Sequence, residues 1–185
     1  MKLLSFLILV IGMAARPTLP APKASPTDRE RVLQVAASQI GLTEKSGRND
    51  GAQVEAYLKA TGLDPKGRAP YCAAFVHWVG KEALGDRNPY PKSAWSPDMV
   101  KGGVRVTEST VIKGGETFGI WFPSKGRIAH TGLVERREGG NLITIEANTS
   151  GAAAVGSAAD RDGQGNFRKR RPWRTVHSVR DWIKP

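Results

Sequence analysis

The spacing of apolar residues changes once along this chain, and that change limits the fold more than any other feature. Up to about residue 103 apolar residues recur at helical spacing; beyond it they alternate with polar ones at period two. Thr27 and Glu30 stand at capping-box spacing and open a helix whose Val32, Leu33, Ala36 and Ile40 share a face, closed by Gly41. A second, short helix carries Val54, Tyr57 and Leu58 and stops at Gly62. A third starts at Pro70-Tyr71-Cys72, repeats Phe75, Val76, Val79 and Ala83, and ends at Gly85. A loop rich in proline and turn residues then runs from Asp86 to about Gly103. Strands follow at Thr117 to Phe122, Ala129 to Arg137 and Leu142 to Glu146, with Gly139-Gly140 turning the chain between the last two and a further hairpin from Gly151 to Trp173. Helices first and strands afterwards define an α+β domain, in which N-terminal helices pack on one side of an antiparallel sheet.

The ends and the charge narrow the setting. Residues 1–15, MKLLSFLILVIGMAA, join Lys2 to a short apolar run with Gly12 and Ala14 at the −3 and −1 positions of a cleavage site, the pattern of a signal peptide. Residues 16–26 hold four prolines and read as an extended linker. Residues 27–185 are one domain's worth of chain. The expectation is therefore an exported protein, periplasmic or secreted, without stable membrane insertion once the signal is removed. The net charge of +11 implies attraction to polyanions. Export points away from nucleic acid and toward polymers of the cell envelope. The densest basic run, Arg168 to Arg174, reads as a solvated strand or loop face.

An exported chain normally uses cysteines in pairs, yet Cys72 is single. It is either a buried small hydrophobe or a working thiol. Its place at the start of a helix favours the second, because the helix dipole and unpaired N–H groups there stabilise the thiolate. A nucleophile needs a base, and three histidines are present. His77 follows five residues later on the same helix, well round from the thiol, and His177 lies in a C-terminal stretch with no carboxylate set against it. His130 begins a strand that turns back into one bearing Glu146 and Asn148. A three-residue turn, Glu138-Gly139-Gly140, pairs Arg137 with Asn141 and sets His130 opposite Asn148, and Glu146 opposite Gly132. Gly132 leaves the diagonal from His130 to Glu146 open. A two-residue turn would send the pair to opposite faces. In the first register Cys72 supplies the thiolate, His130 moves the proton, and Glu146 or Asn148 fixes the imidazole.

At these residues the chain resembles the CHAP family, the cysteine- and histidine-dependent amidohydrolases/peptidases of the papain-like clan. YCAAFVHWV is similar to the family's nucleophile helix, RIAHTGLV to its histidine strand, and ITIEANTSG to its strand with a glutamate and an asparagine two apart. The SAWSP segment and the terminal FRKRR…RDWI stretch also resemble bacterial members. The resemblance implies a papain-like CHAP fold, hydrolysis of amide bonds in peptidoglycan (amidase or peptide endopeptidase), and an active site at Cys72, His130, Glu146 and Asn148. Glu146 stands first for the third role, and Trp95 is the candidate substrate-binding residue. The rival reading is a catalytically silent envelope-binding module of the same fold. No cofactor is expected and the protein is expected to act as a monomer. No metal is expected either: GRNDG before the cysteine offers only Asp50 as a carboxylate, and the EF-hand-like run from Asp160 has Arg171 at its twelfth position, where a carboxylate is required.

Overall fold

Local signals set the helix ends. The computed structural model describes residues 25–151 and 156–184; the signal segment expected at residues 1–15 and residues 16–24 of the proline-rich stretch lie outside them. Helix α1 (Asp28–Ser38) has Thr27 as its N-cap, and both halves of the capping box form: Glu30 N donates to Thr27 Oγ1 at 3.2 Å and Thr27 N to Glu30 Oε2 at 2.7 Å. Such a cap contributes about 1 kcal/mol. Helix α2 is Ala52–Ala60 and α3 is Cys72–Leu84, which ends at Gly85 with φ +59°. Both α1 and α2 pack on α3, and α3 lies on the sheet. Among the described residues no helix is long and apolar enough to cross a membrane.

The sheet is antiparallel, with six strands in the order β1-β6-β2-β3-β4-β5: β1 Val104–Val106, β2 Thr117–Phe122, β3 Arg127–Glu138, β4 Asn141–Thr149, β5 Gly165–Pro172 and β6 Ser178–Asp181. The α+β class expected from the change of period is the class observed. Leu133, Ile145 and Ala147 join Val32, Ala36, Tyr57, Phe75 and Val76 in the core shared with the helices. Phe118, Ile120, Val134, Leu142 and Val179 form a second apolar cluster. The short strands β1 and β6, VRV and SVRD, were not anticipated, since three or four residues are too few for alternation to show. They complete one end of the sheet, where Arg29 of α1 grips the Asp181 carboxylate at 2.9 Å and Ile183 O at 2.7 Å.

Two expectations need correction. Among the described residues no hairpin forms between Gly151 and Trp173: the short helix α4 (Ala158–Arg161) leads into β5, which pairs along β4. The β3–β4 turn is Gly139-Gly140, a two-residue turn with Gly139 at φ +58°, so Glu138 pairs with Asn141. That register would separate His130 from Glu146. It is reset by a β-bulge at Glu135: Arg136 pairs with Ile143, but Val134 pairs with Thr144 and Leu133 with Ile145. The extra residue cancels the shift that the shorter turn introduces. Gly132 then lies against Glu146, where a Cβ would come within 3.0 Å of the glutamate Cγ and 2.8 Å of Ile145 O, so glycine is needed for the approach.

Candidate active site

Cys72 is the first residue of α3, buried, and the one free cysteine. His130 faces it from β3, beside the point where the β2–β3 pairing slips between Ile120 and Trp121. Nε2 of His130 lies 2.8 Å from Oε2 of Glu146, both side chains fully buried. Nδ1 makes no hydrogen bond of ordinary geometry, but the Cys72 thiol is near enough to act on it. The imidazole thus stands between a thiol and a carboxylate.

Burial alone would lower the pKa of His130. The hydrogen bonds and charges of Cys72 and Glu146 outweigh burial and raise it to about 9, so the ring is charged at neutral pH. Burial would raise the pKa of Glu146; Arg171 first, then His130, hold its carboxyl well below the usual carboxylate range instead. Arg171 donates from Nε to Glu146 Oε1 at 2.8 Å and also bonds Oε2 through Nη2, while Thr144 Oγ1 donates to Oε1. On its other side the same guanidinium holds Asp160, at 2.8 and 2.7 Å, and Lys169 Nζ reaches Asp160 Oδ1 at 2.6 Å. The result is a buried chain of alternating charge running His130, Glu146, Arg171, Asp160, Lys169.

Arg171, Asp160 and Lys169 escaped the sequence reading, which took the basic run as a solvated face. Its alternation held the clue: Arg168 and Arg170 point outward to Glu135 and Glu138, and Lys169 and Arg171 inward. Arg171, which rules out an EF-hand, is also the residue that occupies the Asp160 carboxylate. Asp50 is likewise committed, accepting from Ser46 N at 2.8 Å and Ser46 Oγ at 2.6 Å. Among the described residues, no three His, Cys, Asp or Glu side chains gather as a metal site would require.

Asn148 is not where the hairpin argument put it. The β4–β5 register slips between Glu146 and Thr149, and Asn148 takes the left-handed conformation with φ +58°. Its side chain turns away from His130: Oδ1 accepts from Tyr71 N at 3.1 Å, and Nδ2 donates to Asn49 Oδ1 at 2.9 Å and Gly163 O at 3.2 Å. Asn49 in turn donates to Arg68 O at 3.0 Å. Arg68, Asn49 and Asn148 are the non-glycine residues with positive φ among those described, and all three join in one string that ends on the N-cap of the Cys72 helix. Strain of this kind costs on the order of 1 kcal/mol per residue. Asn148 therefore positions the nucleophile helix and does not touch the imidazole.

The other histidines stay apart from the thiol. His77 is buried against Tyr90 O and Asn88, with its pKa lowered by burial, and His177 is exposed and stacks on Trp121. Trp95 is half-exposed, with the Arg127 guanidinium 3.8 Å over its ring, and both line a cleft of about 550 Å³ onto which Cys72 opens. This geometry can carry nucleophilic acyl chemistry: a sulfur at a helix N-terminus, a charged imidazole beside it, and a fixed carboxylate behind.

No protein-family model matches the chain, and no curated protein matches it. Among solved structures it is similar to an NlpC/P60 family protein from Bacillus cereus ATCC 10987, at 16% identity and a TM-score of 0.48, over 87% of this chain and 42% of that one. The chain thus spans less than half the length of that protein.

Proposed function

We propose that this protein is an exported cysteine hydrolase of the CHAP type, within the papain-like clan, that cleaves amide bonds in peptidoglycan. The observation that carries the reading is the His130 imidazole held between the Cys72 thiol and the Glu146 carboxylate beside an open cleft. Cys72 supplies the sulfur nucleophile from the start of α3, and His130 stands beside it to hold the proton. The thiolate attacks the amide carbonyl, and the oxyanion is met by backbone N–H groups at the start of α3. As the C–N bond breaks, His130 gives its proton to the departing amine, leaving a thioester on Cys72. Water then attacks the thioester, His130 takes the water's proton, and the C–S bond breaks to release a carboxylate and restore the ion pair. Glu146 keeps the imidazole oriented throughout, and Arg171 keeps Glu146 ionised.

The signal segment at residues 1–15 and the linker at 16–26 support delivery to the cell envelope, where the +11 charge favours an anionic wall polymer. Purified peptidoglycan digested with the wild-type protein should release fragments carrying new amine and carboxyl ends, identified by mass. Cys72→Ser should release none while melting at the wild-type temperature, and His130→Ala should lose at least about a hundredfold in rate. Activity retained by Cys72→Ser would end this reading and favour another chemistry. A folded wild-type protein that binds the wall and cuts nothing would favour the silent envelope-binding module.

A further inference from the structure

The cleft onto which Cys72 opens has apolar walls, including Leu63, Ala69 and Trp95, and three charged side chains, Lys92, Arg127 and Arg161, all positive. No carboxylate lines it among the described residues. Five arginines elsewhere, Arg29, Arg87, Arg168, Arg170 and Arg171, each hold an Asp or Glu, while others outside the cleft, such as Arg105 and Arg174, make no ion pair among the described residues. The cleft cations are left open by comparison. Arg127 donates to Ile128 O at 2.8 Å and stacks on Trp95, contacts that fix the guanidinium without neutralising it. Arg161 has only Asp162 at 3.9 Å, at the edge of ion-pairing distance, and Lys92 has no ion pair among the described residues. Uncompensated charges of one sign between low-dielectric walls concentrate their field in the cleft, and a planar guanidinium held in advance loses little freedom on gripping a carboxylate.

We propose that this cleft is a carboxylate-binding subsite: the substrate is an acidic peptide bearing a free carboxylate close to the scissile amide, and Arg127 and Arg161 select for it. The inference rests on the amide-cleaving reading above and adds the charge of the group beside the bond. Burying an unpaired carboxylate in such a cleft would be costly without the arginines, so discrimination comes from the anion itself.

The test compares one soluble muropeptide in two forms, with its carboxylates free or converted chemically to primary amides. Wild-type protein should cleave the free form with kcat/KM at least about tenfold above the amidated form, the scale of a charge-assisted hydrogen bond. Arg127→Gln and Arg161→Gln should each reduce that preference, and the double variant should abolish it, mainly by raising KM for the free form. Equal cleavage of both forms by the wild type, or a preference that survives the double variant, overturns the proposal. Calorimetric binding of the two forms to Cys72→Ala separates the two readings. A binding preference that the arginine changes remove, without any cleavage by the wild type, leaves the subsite standing and defeats the hydrolase alone. Equal or absent binding of both forms defeats the subsite.

Discussion

Four consecutive basic residues of β5 divide between its two faces, and the two faces treat the same chemistry differently. Arg168 and Arg170 point outward, with side chains 45% and 59% exposed, and pair with Glu135 and Glu138. Lys169 and Arg171 point inward, 7% and 1% exposed, and pair with Asp160 and Glu146. An exposed pair contributes about 0 to 1 kcal/mol, because water and salt already satisfy both partners. A buried chain cannot lose one member cheaply, because the remaining charge is stranded. The lesson is that the inner face needs its charges to keep Glu146 ionised and His130 aimed, whereas the outer face can lose either arginine with little consequence.

The sharpest way to break this contrast is to remove one arginine from each face. Arg171→Met leaves the carboxylates of Glu146 and Asp160 buried without their shared partner, and should lose about 3 to 5 kcal/mol in a denaturant titration. Arg170→Gln should change stability by less than about 0.5 kcal/mol. Similar losses for the two would show that Glu146 does not depend on the buried chain.

A smaller effect separates holding the imidazole from holding the helix. Asn148→Gly keeps a residue suited to φ +58° and removes the amide with its three hydrogen bonds, to Tyr71 N, Asn49 Oδ1 and Gly163 O, so it should cost about 1 kcal/mol for each bond lost. Asn148→Ala loses the same bonds and adds left-handed strain, so it should cost on the order of 1 kcal/mol more. Thermal melts read the difference. An alanine variant as stable as the glycine variant would mean that the backbone at Asn148 is not strained.

How much of this could be read from the sequence depends on whether the signal was local. The capping box of Thr27 and Glu30, the limits of β2 and the helix beginning at Cys72 rest on contacts within a few residues, and the sequence shows them. The nearness of His130 to Glu146 was argued from a three-residue turn that does not form. The two residues meet because the Glu135 bulge offsets the shorter turn, and a bulge leaves no local mark of its own. Asn148 was placed by extending strand alternation past the point where the ladder slips. Arg171 was overlooked because a run of basic residues on an isolated strand looks solvated; only a neighbouring strand bearing Glu146 gives its inward face a partner.

The charge on His130 depends on all of this and is open to direct observation. Its pKa is raised above the ordinary 6.5 to about 9, so the proton stabilises the fold fully below about pH 6.5 and that contribution is lost as pH rises through 9. The acid needed for amine departure should vanish over the same range, giving kcat/KM an alkaline limb near pH 9. An NMR titration of the imidazole in the wild-type protein and in Glu146→Gln tests the account most directly. The wild-type midpoint should lie near 9 and the variant's clearly lower, with catalysis reduced in step. A wild-type midpoint near 6.5 that Glu146→Gln leaves unchanged would contradict it.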